Sequence, residues 1–142
     1  MRYLGLDVGS KKIGVAVGES LASELTTLAS PKNHSFYEEN GRIWAIEQIK
    51  KLMELEEADA IVVGLPVNED GQPTEESVKI SNFSRELKEK LGVNVHFVDE
   101  TLTSFMAEEI IVSQGESLGN SKERVHQVAA QLILQQYLED NS

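Results

Sequence analysis

The chain has 142 residues, no cysteine, and 13 Lys and Arg against 24 Asp and Glu, a formal charge of −11. That length suits one domain, able to bury about 70 per cent of its unfolded surface without covalent staples. Without Cys there are no disulfides, thiolate metal sites or thiol nucleophile, so any metal must be held by carboxylates and His, and the acidic balance excludes general attraction to phosphates as the source of nucleic-acid affinity.

Tyr3 to Val17 reads as an apolar strand ending in Asp7, a turn at Gly9 and Ser10, and a second strand running back. An aspartate where a strand leaves the apolar layer is either a turn-former or a rigidly held carboxylate suited to metal-assisted hydrolysis. In the returning strand Ile13, Val15 and Val17 alternate with Gly14, Ala16 and Gly18, one bulky face and one very small one; the small face suggests close packing of a helix. Glu24 to Ala29 is Thr-rich and reads as a third, edge-like strand. Ser35 and Glu38 have capping-box spacing before a helix of about five turns, to around Glu57. Ile43, Ile46, Ile49 and Met53 form its apolar positions, and Gly41 weakens its start.

Asp59 to Pro66 is continuously apolar after its first residue, as in a strand buried on both faces of a parallel sheet. A loop through Asn68 and Gly71 leads to Thr74, a cap for a second helix that runs to about Leu91 and is closed by Gly92. Val93 to Val98 is the next strand, with Asp99 and Glu100 at its end. A short helix from about Ser104 to Gln114 follows, then a flexible stretch from Gly115 to Asn120. Ser121 caps a last helix, through about Asp140. The order β-β-β-α-β-α-β-α-α predicts one α/β domain over residues 1–142, with a mixed sheet of five strands in order 3-2-1-4-5.

Ligands of such sheets lie beyond the carboxyl ends of the strands, where Asp7, Gly64 to Pro66 and Asp99-Glu100 all fall. The Glu100 strand is two places from the Asp7 strand, about 10 Å, so Glu100 must lean back across the sheet to share a metal with Asp7; the alternative is a turn and helix-approach acid. His126, flanked at helical spacing by Ala129, Ala130 and Ile133, sits on or beside the buried face of the last helix. It is a core histidine, a metal ligand or a general base. Glu123, one turn earlier, could add a carboxylate. Lys11-Lys12, Arg42, Lys50-Lys51 and Lys122 with Arg124 are the pieces of a basic rim, with Lys11 and Lys12 nearest Asp7. No run approaches the roughly 18 apolar residues of a membrane span and no signal peptide is visible, so a cytoplasmic protein with no membrane partner is expected.

Four stretches together carry a family signature: Leu4 to Ala16, Ile61 to Asn68 with Asp70-Gly71, Val98 to Ser104, and Ala129-Ala130 with Leu132 to Gln135. They resemble the YqgF/RuvX family, whose members are described as Holliday junction resolvases and as pre-16S rRNA processing nucleases. The resemblance covers the whole chain. It implies a ribonuclease H-like fold with helices on both sheet faces, and metal-dependent phosphodiester hydrolysis with Mg²⁺ or Mn²⁺. Asp7 matches the family's first-strand acid and Glu100 the acid of its Asp-Glu-Arg motif; His126 falls where the family usually has Asp, and Thr101 where it usually has Arg. Asp7, Glu100 and His126 are thus the implied catalytic and metal-binding residues, with Lys11, Lys12 and Asn68 as nucleic-acid-binding candidates. The exchange at His126 removes one negative charge from the site and favours Mn²⁺ over Mg²⁺. In such a site two ions about 4 Å apart would clamp the phosphate, with Asp7 bridging them.

Three functions follow as expectations: processing of the 5′ end of a 16S rRNA precursor, resolution of branched DNA in recombination and repair, or a non-catalytic nucleic-acid or ribosome-associated module with a decayed site. The partners are accordingly precursor rRNA or branched DNA and, with the first or third, the ribosome; the protein itself would be a monomer or a homodimer. The Asp-x-Gly-Ser hairpin also resembles the phosphate loop of actin-like ATPases and sugar kinases, but these enclose a nucleotide between two such domains, and 142 residues provide one.

Overall fold

A computed structural model describes residues 1–100, 103–115 and 122–142, with side chains of 103–105 and 122–123 left aside. The elements are β1 (Tyr3–Val8), β2 (Lys12–Gly18), β3 (Ala22–Ala29), α1 (Glu39–Glu56), β4 (Ala60–Pro66), α2 (Glu75–Leu91), β5 (Asn94–Glu100), α3 (Thr103–Ser113) and α4 (Lys122–Asp140). The sheet has the expected five strands in the order β3-β2-β1-β4-β5. The first three strands pair antiparallel, and β4 and β5 join parallel to β1.

The pleat sorts side chains onto two faces. Leu4, Leu6, Val8, Ile13, Val15, Val17, Ile61 and Val63 point one way, into a core closed by Ala45, Ile46, Ile49 and Met53 of α1 and Ile80, Phe83 and Leu87 of α2. The opposite face carries Ala16, Val62 and Val98 under Ala130, Ile133, Leu134 and Leu138 of α4. Helix α3 lies outside α4, joining it through Ala107, Ile111, Val128 and Ala129. Helix α4 is therefore apolar on two sides because it is sandwiched, which accounts for a sequence hydrophobic nearly all round.

The small face of β2 does what its composition suggested. A Cβ on Gly14 would stand 1.9 Å from the His126 carbonyl oxygen. One on Gly5 would stand 2.7 Å from the Leu134 Cβ, and one on Gly64 would be 2.6 Å from the Ile133 Cδ1. Three glycines on adjacent strands thus form a lane into which α4 sinks, its backbone nearly touching the sheet.

Four expectations need correction. Ser35 and Glu38 do not form a capping box: the Tyr37 N–H donates to Ser35 Oγ at 3.1 Å in a local turn, and Glu38 precedes α1 without a side-chain cap. The turn instead drives Phe36 fully into the core and lets its N–H reach the Ser10 carbonyl at 2.7 Å. Gly41 is needed there, since a Cβ would lie 1.9 Å from the Ser35 carbonyl oxygen. Ile43 is exposed, because the buried stripe of α1 centres on Ala45 and Ile49, and a residue six positions from Ile49 lies about 120° round the helix. Strand β3 begins two residues earlier than expected. Strand β5 begins one residue later and continues through Asp99 and Glu100, pairing them with Leu65 and Pro66. The second helix is as expected: Thr74 caps it reciprocally with Ser77, and Gly92 ends it in the left-handed conformation at φ 65°. Thr101, the stretch 116–120, the Ser121 cap and the side chains of Ser104 and Glu123 lie outside the described residues.

Candidate active site at the strand ends

Because β5 includes both acids, the pleat sends Asp99 and Glu100 to opposite faces. Asp99 is exposed on the α1–α2 side. Glu100 shares the α4 face with Asp7, the next outward position beyond Gly5 on β1. The Glu100 carboxyl carbon would lie 3.0 Å from a Cβ on Gly64. Gly64 is one residue beyond the Leu6–Val63 pair, so it neighbours Asp7 on the adjacent strand. A side chain at 64 would occupy the space through which Glu100 leans back toward Asp7.

His126 comes from above. Asp7 pairs with Gly14 across β1 and β2, and Gly14 is where the His126 backbone rests. His126 Nδ1 consequently lies 3.5 Å from Asp7 Oδ2, with the Asp7 side chain 15 % and the imidazole 34 % exposed. Two further contacts fix the height of α4: Arg124 donates to both carboxylate oxygens of Glu24 at 3.1 and 3.2 Å, and Gln131 and Gln135 bind the backbone of Ala22. Arg124 is thus a clamp between α4 and β3.

The basic candidates are placed less directly. Lys11 Nζ donates to the Asn33 carbonyl on the β3 side of the hairpin turn, and Lys12 is half-buried at the start of β2. The Asn68 side-chain oxygen accepts the N–H groups of Asp70 at 3.0 Å and Gln72 at 2.8 Å, an Asx turn that shapes the loop after β4. That loop touches the site through the Val67 N–H, 3.4 Å from the Glu100 carbonyl oxygen.

Tyr37 belongs to this rim and had no signal in the sequence beyond its place next to an apolar Phe. Its hydroxyl donates to the Val8 carbonyl at 3.5 Å. Burial, then the negative charges of Glu76 and Asp7 and a hydrogen bond with Glu76, hold its phenol well above the usual tyrosine range.

Two carboxylates and an imidazole at one rim are donors suited to a divalent ion. Asp7 and His126 already stand at a separation that two ligands of one ion can adopt. Among the described residues, however, no three His, Cys, Asp or Glu side chains lie within a single coordination sphere. Glu100 stands two strands from Asp7, across β4, and would have to close the remaining gap.

The family model for RuvX, described as a Holliday junction resolvase, matches residues 1–140. A Pseudomonas putida protein named "Putative pre-16S rRNA nuclease" is 39% identical over 140 residues, covering 98% of this chain and 95% of its own. A Lactobacillus gasseri protein of the same name is 38% identical over 144 residues, covering 98% and 96%. Among solved structures, Thermus thermophilus RuvC in complex with a Holliday junction substrate superimposes with a TM-score of 0.59 at 15% identity, covering 99% of this chain and 96% of that one. That likeness shows the fold, the ribonuclease H-like one.

Proposed function

The chain belongs to the RuvX family, and on that footing we propose that it is a metal-dependent nuclease that hydrolyses phosphodiester bonds in processing the 5′ end of a 16S rRNA precursor. What supports the reading is that Asp7, Glu100 and His126 share one face of one rim, with His126 3.5 Å from Asp7 and Glu100 still to close a gap. The relatives' name supports the choice of substrate.

In this reading Asp7 and Glu100, with His126, would hold Mg²⁺ or Mn²⁺. Such an ion supplies Lewis-acid polarisation of the phosphodiester and lowers the pKa of water. The chain's own residues do the rest. Asp7 Oδ2 and His126 Nδ1 stand 3.5 Å apart, so a carboxylate oxygen and a ring nitrogen converge on the place such an ion would take. The small exposure of Asp7 keeps the pair oriented. The rigid β1 strand fixes Asp7, and the glycine lane fixes His126, so geometry does not depend on a loop.

The family model's own description favours a second reading, a resolvase of four-way DNA junctions acting as a two-fold dimer. Wild-type protein and Asp7→Asn are to be assayed side by side on a precursor bearing the 5′ extension and on a four-way junction, in Mg²⁺ and in Mn²⁺. Cleavage at the mature rRNA end supports processing, and junction cleavage alone supports resolution. Absence of cleavage of both, or undiminished cleavage by Asp7→Asn, overturns the nuclease reading and leaves the non-catalytic module.

A further inference from the structure

We propose that the groove between α1 and α2 binds a single-stranded segment of the nucleic-acid substrate through its phosphates, a surface separate from the Asp7 rim but reached from it. The proposal rests on the nuclease reading. Both β3 and β4 run toward the rim, so α1 and α2 both start there and run away from it. Between them lies an open groove of about 560 Å³. Four cations, Arg42, Lys79, Arg85 and Lys90, line it against two carboxylates, Glu86 and Glu89. This is a positive strip on a chain whose net charge is −11.

Two of the cations are arranged by the walls: Glu86 holds the Arg42 Nε at 2.6 Å and the Lys90 Nζ at 3.4 Å. The other two, Lys79 and Arg85, are exposed and form no ion pair among the described residues. From Lys79 to Lys90 the strip runs about 16 Å along α2.

Tyr37 joins the strip to the site. Its hydroxyl is bonded to the carbonyl of Val8, the residue after Asp7, and Lys79 Nζ lies 5.8 Å from its ring centroid. Lys79, over the Tyr37 ring, begins a row of cations leading from the rim that the phosphates of a single strand can track.

The test is fluorescence anisotropy with a labelled single-stranded oligoribonucleotide of about twelve nucleotides, without divalent metal, over a salt series. Lys79→Ala/Arg85→Ala is compared with the charge-matched control Lys50→Ala/Lys51→Ala, whose residues lie outside the groove. Losing two phosphate contacts should lower the log–log salt slope by about 1.4 and weaken binding about 25-fold at 0.1 M salt. Hydrolysis of the small diester bis(p-nitrophenyl) phosphate in Mn²⁺ should be unchanged. All four residues are exposed, and Lys79→Gln/Arg85→Gln guards against loss of fold. The proposal is overturned if wild type does not bind the strand, if the groove variants bind it as wild type does, or if the control loses as much. Binding that behaves as expected in a protein that cleaves nothing would sink the nuclease reading instead.

Discussion

Gly14→Ala puts a single methyl group where the structure leaves no room. Its Cβ would stand 1.9 Å from the His126 carbonyl oxygen and 2.2 Å from the carbonyl carbon, and neither is the yielding end of a side chain. Restoring ordinary contact requires α4 to lift by about 1.5 Å, since such atoms come no closer than roughly 3.4 Å. Overpacking of this kind costs about 1–3 kcal/mol. With an unfolding entropy near 2.1 cal/mol/K per residue, a chain of this length loses about 3 °C of Tm per kcal/mol, so the drop should be about 3–10 °C. The lift also withdraws the imidazole from Asp7, and misplacement on the order of 1 Å costs about 100-fold in rate. Thermal melting by circular dichroism and cleavage under saturating Mn²⁺ measure the two effects separately. A variant that melts within about 1 °C of wild type and cleaves normally would refute the seating of α4 on the glycine lane.

Three further outcomes follow from the site and its rim. Asp7→Asn should keep the fold and cut cleavage at least about 100-fold, the scale of losing one charged group at a reacting phosphate; equal loss of Tm and activity would mean that Asp7 is structural. Mn²⁺ at about 100 times its Kd should raise Tm by about 9 °C in wild type. The rise should shrink sharply in His126→Ala, and an unchanged shift would remove His126 from the metal. Tyr37 titrates higher folded than unfolded, so its contribution is complete below the unfolded value near 10 and is lost as pH rises above it. Tm should therefore fall more steeply above about pH 10 in wild type than in Tyr37→Phe, and parallel pH curves would contradict the buried placement of its hydroxyl.

What could be read from the chain was what depends on local pattern. The continuous apolar run of β4, the Thr74 cap and Gly92 stop of α2, and the alternation of Gly14, Ala16 and Gly18 with bulky residues each express a constraint within a few neighbours. The strand order followed because hairpins and crossovers permit few alternatives. Misread features depend on distant chain. Strand β5 continues through its two acids because β4 offers Leu65 and Pro66 as partners, and this moves Asp99 off the site face while keeping Glu100 on it. Ile43 fits a helical stripe in sequence yet points outward because α1 is rotated to place Ala45 and Ile49 on the sheet. Tyr37 reaches the rim because Phe36 is buried beside Ser10, a pairing that no local pattern encodes.

The seat of α4 on the glycine lane also means that the proposed site is assembled from distant parts of the chain during synthesis. Asp7 leaves the ribosome early, but His126 follows it by 119 residues, the difference between 126 and 7. At roughly 5–20 residues per second that interval lasts about 6–24 seconds. Throughout it the nascent sheet can pair while the lane over Gly5, Gly14 and Gly64 stays uncovered and the carboxylates have no imidazole above them. On the proposed reading, the site lacks its third donor until the last helix docks.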